Sequence, residues 1–414
     1  MSERPQRNLW TRRSFLKLSA AGIGTALAGP FRGSLEAATA KSPLYWVDQI
    51  PDSPYTDLAH PNRHAGVESL LGLMGGNGLK FYRSGTSSPL AGPQGMIAPD
   101  DVVLIKVNAQ WKYRGCTNSD VIRGLVQRIL DHPDGFTGEV VIFENGQGRG
   151  SLACDTSSSY GGDTSVRANA NDEAQSFEYL AAVTFAGRPV STQLNDPIRT
   201  TFLSATDHVQ NGFRHYQNVS YPCFNTAGGR RVELKEGIWT GSGYAPNLKL
   251  INVPVLKHHD SGGSEITASL KHFYGVVSMS DGYSGIRHYG KLGKTTGKMV
   301  VSVRTPVLNI IDAIWTSYAS IKGYPASTTF RTNTLVAGQD PVALDYWAAR
   351  NVIYPIDNNP RHLPTFDGIK AWLVQARDII NLRGGLYDPA AGILVRRVTN
   401  SPANMAVHHA SAAV

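Results

Sequence analysis

Residues 101–108, DVVLIKVN, 119–130, SDVIRGLVQRIL, and 138–146, GEVVIFENG, decide the fold. The first and third are apolar runs closed by turn residues, as in buried strands, and the second sets Ile122, Leu125, Val126 and Ile129 at helical spacing. Two buried strands joined through a helix run parallel, because a tight hairpin leaves no room for the crossover. The expected class is therefore α/β, a mostly parallel sheet with flanking helices.

The same patterning resumes at 247–257, NLKLINVPVLK, and continues through 307–315, VLNIIDAIW, to 332–353, TNTLVAGQDPVALDYWAARNVI. In the last stretch Thr334 to Ala337 reads as a strand, Asp340 as a helix N-cap and Pro341 as the first helical residue. Residues 146–243 are rich in Gly, Ser, Thr and Asn without a sustained period, which predicts a long loop-rich insertion. The expected organisation is a lead-in at 41–98, an α/β domain at 99–384 carrying that insertion, and a peripheral tail at 385–414.

The chain opens differently. Arg12 and Arg13 precede Phe15, Leu16 and Lys17, then comes a short apolar stretch rich in Ala and Gly, and Ala38, Thr39 and Ala40 form a small-residue cleavage site. Residues 1–40 thus read as a twin-arginine signal, with the twin-arginine translocase as export partner and the periplasm as destination. No segment of the mature protein is expected to span a membrane. The leader holds six basic side chains against Glu3 and Glu36, so half of the formal net charge of +8 belongs to it. The mature chain is only mildly basic and has no Lys/Arg stripe interleaved with aromatics, which argues against nucleic acid as a partner. Cys116, Cys154 and Cys223 lie far apart, so no iron–sulfur cluster is expected. One disulfide is allowed, and spacing alone leaves three pairings open.

Polar groups stand just beyond the predicted strands: Lys106 and Asn108, Glu144 and Asn145, Lys257 to Asp260, Asp312, and Asp340. In an open parallel sheet, ligands bind outside the carboxyl ends of the strands, so these groups are expected to line one cleft. The densest segment is 253–277, VPVLKHHDSGGSEITASLKHFYGVV. There Gly262 and Gly263 make a turn, Ser264 is an expected N-cap, and a helix over 265–274 puts Thr267, Lys271 and Tyr274 on one face. His258 and His259 leave their strand on opposite sides, so only one of them faces the cleft. Lys257, Lys271 and, farther on, Arg287 favour a small anionic ligand, while His258 and His288 are the candidate ligands for a divalent metal. Lys257, His258, Lys271, Asp312 and Asp340 are the catalytic candidates, with the lysines as anion binders, nucleophile or proton carrier and the aspartates orienting them. Lys106, Asn108, Gly262, Gly263, Thr267 and Arg287 are the candidates for holding a cofactor or ligand.

The ordered set VLIKVN, INVPVLKHHD, ITASLKHFYG, IIDAIW and AGQDPVALD resembles the family called domain of unknown function 362. The resemblance covers most of residues 99–350 and carries over Lys106, Asn108, Lys257, His258, Thr267, Lys271, Asp312, Asp340 and Asp345 as family-pattern positions, without roles. His272 departs from the pattern, where an Asn commonly follows the lysine, and the cysteine-rich ferredoxin segment of many members is absent. The order His258, Lys271, His288 around a Gly-Gly turn is also similar to nickel-pincer lactate racemases, in which the lysine carries the pincer and one histidine binds nickel. The resulting expectation is an exported enzyme or cofactor protein that binds an anionic ligand, with a metal or a nickel-pincer-like cofactor as the implied cofactor. The alternative class is a non-catalytic periplasmic ligand-binding or scaffolding protein.

Overall fold

The computed structural model describes residues 41–146, 150–157, 160–195, 212–217, 219–261, 263–277, 291–381 and 392–400. Ten strands form the main sheet: Ser42–Asp48 (β1), Val102–Val107 (β2), Glu139–Asn145 (β3), Val190–Asn195 (β4), Leu248–Val253 (β5), Val255–His258 (β6), Ile266–Thr267 (β7), Leu308–Ser317 (β8), Thr329–Gly338 (β9) and Ile393–Thr399 (β10). Along the sheet the order is β10, β1, β9, β8, β5, β2, β3, β4; β6 lies beside β8, and β7 folds back on β6 as a hairpin. Every pairing on the main path is parallel except the two made by β9. The sheet is thus mostly parallel.

The described helices that matter here are Ala65–Gly76 (α1), Ser119–Leu130 (α2), Ser269–Phe273 (α3), Leu292–Ser302 (α4), Pro341–Ala348 (α5) and Asp367–Asn381 (α6). Strands β2, β3 and β5 are apolar on both sides because both faces of the sheet are covered. Val103, Ile105, Val140, Ile142 and Ile251 pack with Leu70 and Met74 of α1 and Leu125 and Ile129 of α2. Val102, Leu104, Val141 and Leu250 pack on the other face with Leu270, Met299, Val342 and Trp372 from α3 to α6. Asp340 and Pro341 start α5 as the sequence predicts: the carboxylate accepts from the Val342 and Ala343 amides at 3.0 Å, and proline fills the first turn, where its missing N–H costs nothing.

Three segments differ from expectation. β1 comes from the predicted lead-in and β10 from the predicted tail, and they pair in parallel along seven residues, with Arg397 bonded to Asp48 across the pair. β1 begins Ser-Pro and ends on Asp48, and no residue of β10 is fully buried, so neither shows the continuous apolar run of a central strand. Within 146–243, β4 is an edge strand of the main sheet, and the strands Phe213–Tyr216, Val219–Asn225, Arg231–Glu233, Gly237–Trp239 and Tyr244–Ala245 form a second, antiparallel sheet. Its Val219, Val232 and Leu234 join the core under α4, so the described part of this stretch is more than loops. Finally, Ile266 and Thr267 belong to β7, and α3 starts only at Ser269, without a cap from Ser264.

Cys116, Cys154 and Cys223 are free thiols; Cys116 and Cys154 are fully buried, with Cys116 Sγ on the Tyr113 carbonyl at 3.1 Å, while Cys223 sits in the second sheet. No helix among the described residues is long and apolar enough to cross a membrane.

Candidate functional site

Pro254 opens the site. It interrupts the run from β5 to β6; having no N–H to extend the ladder, it leaves its carbonyl to accept from the Asp312 amide at 2.8 Å. β5 pairs with β2, but β6 leaves β2 and follows β8 with a shifted register. A crevice results between the carboxyl ends of β2 and β3 and the β6–β7 hairpin. Asn108 ties its mouth together, accepting from the Val255 amide at 2.9 Å, while its own amide donates to Thr117 Oγ1 at 2.7 Å.

The crevice holds a small cavity of about 30 Å³. Lys106, Asn108, Lys257, Thr267 and Lys271 line it, so five of the residues singled out from sequence meet there. Gln110, Trp111, Glu144, Asn145, His259, His272 and Gly275 complete the wall. Of these, Glu144 and Asn145 carried the strand-exit signal, whereas Gln110 and Trp111 lie in a loop with no pattern to mark them.

The three lysines are not equivalent. Lys106 is fully buried and uses all three of its N–H groups: on Glu144 Oε1 at 2.5 Å, on the Val107 carbonyl at 2.8 Å and on His272 Nε2 at 3.0 Å. Glu144 also accepts from the amides of Ala109 and Asn145 at 2.8 Å each. Burial pushes the Lys106 ammonium down and the Glu144 carboxyl up, and the charge of each opposes the shift of the other. Because His272 Nε2 receives the Lys106 proton, its own proton sits on Nδ1 and is donated to Asn252 Oδ1 at 2.8 Å. Burial, with Lys106 beside it, keeps that imidazole neutral.

Lys257 is also buried, with Nζ on the Gly115 carbonyl at 2.5 Å; burial brings its ammonium down to about 7. Lys271 is partly buried on α3. Its Nζ stands 5.5 Å from the centre of the Tyr274 ring and has no hydrogen bond or ion pair among the described residues. Burial, then the charge of Lys106, brings it down to about 7 as well. Three ammonium groups therefore face one carboxylate, and that carboxylate is already bonded to Lys106.

The other sequence candidates lie around the cavity. Asp312 is buried behind it and accepts from the amides of Asn118 at 2.7 Å and Ile314 at 3.0 Å, which fixes the turn carrying Gly115; burial raises its carboxyl to about 7. Asp340 lies elsewhere, capping α5 and accepting from Ser42 Oγ at 2.6 Å. Asp345, one turn on, accepts from the amides of Ser269 at 2.7 Å and Leu270 at 2.9 Å, so it caps α3 from another helix and sets the direction of Lys271. Of the two adjacent histidines, His259 lines the cavity and His258 turns away to His362, with Nδ1 3.0 Å from Nε2; His362 in turn meets Asp357 at 3.2 Å. Gly263 sits in the turn before β7 and is not part of the wall, and Gly262, Arg287 and His288 lie outside the described residues.

The donor set does not suit a metal. Among the described residues no three His, Cys, Asp or Glu side chains are placed to hold an ion, and the cavity is lined by ammonium groups that repel one. His258 and Lys271, paired in the comparison with the racemases, do not share a cavity.

Fold and site define an α/β protein with a lysine-lined cavity at the carboxyl ends of a mostly parallel sheet. Residues 230–350 match the family described as Domain of unknown function (DUF362). The matched segment supplies Lys257, Thr267, Lys271 and both capping aspartates, whereas Lys106 and Glu144 come from outside it. No curated protein and no solved structure matches the chain.

Proposed function

We propose that this chain is an exported enzyme or cofactor protein that binds a small anionic ligand in the lysine cavity. One observation carries the reading: three lysines converge on one carboxylate, and Lys271 has no anionic partner among the described residues. A buried excess of cations costs folding energy unless an anion completes it. A bound carboxylate or phosphate would restore the balance and raise the two lowered lysines.

Titration calorimetry of the protein with oxalate and with inorganic phosphate tests this. Binding is expected below pH about 7, where Lys257 and Lys271 are protonated, and is expected to weaken above it. No binding of either anion at low ionic strength would remove the reading. Export is tested separately, by replacing Arg12 and Arg13 with Lys; an unprocessed precursor in the cytoplasm is expected, and normal processing would contradict the signal assignment.

A further inference from the structure

We propose that Lys271 is a Schiff-base lysine and that the ligand is a short 2-oxo carboxylate, held by its carboxylate while its carbonyl carbon meets the Lys271 amine. The proposal rests on the anion-binding reading above and deepens it. The three lysines divide into two kinds. Lys106 and Lys257 have fixed acceptors on Glu144 and on the Gly115 carbonyl, so their amines are held in place. Among the described residues Lys271 meets only the face of Tyr274, and it projects from a helix whose start is locked by Asp345.

An amine removed from water, without a counter-ion and beside other cations, sheds its proton readily, and this is how an enzyme makes lysine nucleophilic near neutral pH. The lowering to about 7 at Lys271 agrees with that setting. Lys271 is also less deeply buried than Lys257, so its Nζ can reach a ligand in the cavity. The small cavity restricts the ligand to a short chain. A ligand with an anion next to an electrophilic carbon matches two anchored lysines beside one that is free to move.

The step balances without an added oxidant or reductant. The neutral Nζ adds to the carbonyl carbon, a C–N bond forms, and the carbonyl π pair moves to oxygen, which takes a proton while the new ammonium nitrogen gives one up. The carbinolamine then loses that oxygen as water with one further proton, and the nitrogen pair closes the C=N bond of the protonated imine. The net change is amine, 2-oxo acid and one proton giving iminium and water.

Borohydride trapping with pyruvate tests the step on the full chain, with oxalate as an unreactive dianion that reports binding alone. Wild type is expected to give a reduced adduct that peptide mapping places at Lys271, and oxalate is expected to suppress it. Lys271→Arg is expected to lose the adduct while still binding oxalate, since charge is kept and nucleophilicity is lost. Oxalate binding without an adduct at Lys271, or label spread over surface lysines with no enrichment there, would overturn the Schiff base and leave the anion site standing. Absence of both oxalate binding and adduct would overturn both readings.

Discussion

Among the described residues, two buried charged clusters are built on opposite terms. Between α1 and α2, Glu68 and Arg128 meet in a two-pronged pair, with Arg128 Nε on Glu68 Oε1 at 2.6 Å and Nη2 on Oε2, and the Tyr82 hydroxyl donates to the Arg128 carbonyl at 2.6 Å. Burial works against the guanidinium there, and the carboxylate overrides it, so its pKa ends up raised. One cation meets one anion, and nothing remains for a ligand. At the strand exits three lysines meet one carboxylate, and two of the lysines are depressed to about 7. Both clusters cost desolvation, but only the first recovers it within the chain. An internal charge left unbalanced marks a place shaped for something other than stability.

The contrast breaks most visibly at the balanced pair. Glu68→Gln leaves a buried guanidinium without its counter-charge and is expected to cost about 3–5 kcal/mol in chemical denaturation. Lys271→Met should do the reverse: it removes an unpartnered ammonium, so the ligand-free protein melts at the same or a higher temperature. Oxalate affinity is expected to fall by roughly tenfold or more, the value of a charged hydrogen bond.

Two aspartates in one nine-residue string sharpen the comparison. Asp345→Ala uncaps α3 and is expected to cost about 1–3 kcal/mol and to weaken oxalate binding, because Lys271 loses its fixed direction. Asp340→Ala should cost about 1 kcal/mol through the lost cap of α5 and leave oxalate binding intact. Calorimetry on both variants separates a residue that positions the site from one that only holds the fold.

The lysines also set a pH signature. In the folded protein Lys257 and Lys271 lose their protons near 7, against an ordinary 10.5 in the unfolded chain. Between those values the unfolded state binds more protons, so their contribution to stability rises with pH across that window. Melting curves of ligand-free wild type should show the rise, and Lys271→Met should flatten it. Oxalate affinity runs the other way, falling as pH passes about 7. The smallest effect is expected at Gly275→Ala, whose new methyl would stand 3.4 Å from Lys106 Nζ: at most about 1 kcal/mol of stability, with a few-fold weaker oxalate binding as the cavity fills.

The strand, helix, strand unit of 101–146 was legible because its strands are buried on both faces and its helix gathers its apolar residues on one, which leaves strong periodicities in the chain. The capping of α5 by Asp340 was legible for a similar reason, since a local cap needs only its own next three residues. β4 and the antiparallel sheet were hidden, because short or half-covered strands leave little pattern. The site divided along the same line. Position at a strand exit marked Lys106, Asn108 and Lys257 in the sequence, since a polar side chain ending an apolar run is unusual. Three dispositions depended on residues distant in the chain: His259 facing the cavity while His258 joins His362, Asp345 capping α3 in place of Ser264, and Lys271 remaining unpaired while Lys106 takes Glu144. The sequence by itself determined which charges the strands deliver to one edge of the sheet. Which of those charges are neutralised, and which one is left for a ligand, only the tertiary structure decided, because pairing depends on distances of a few ångströms between segments that local periodicity does not relate.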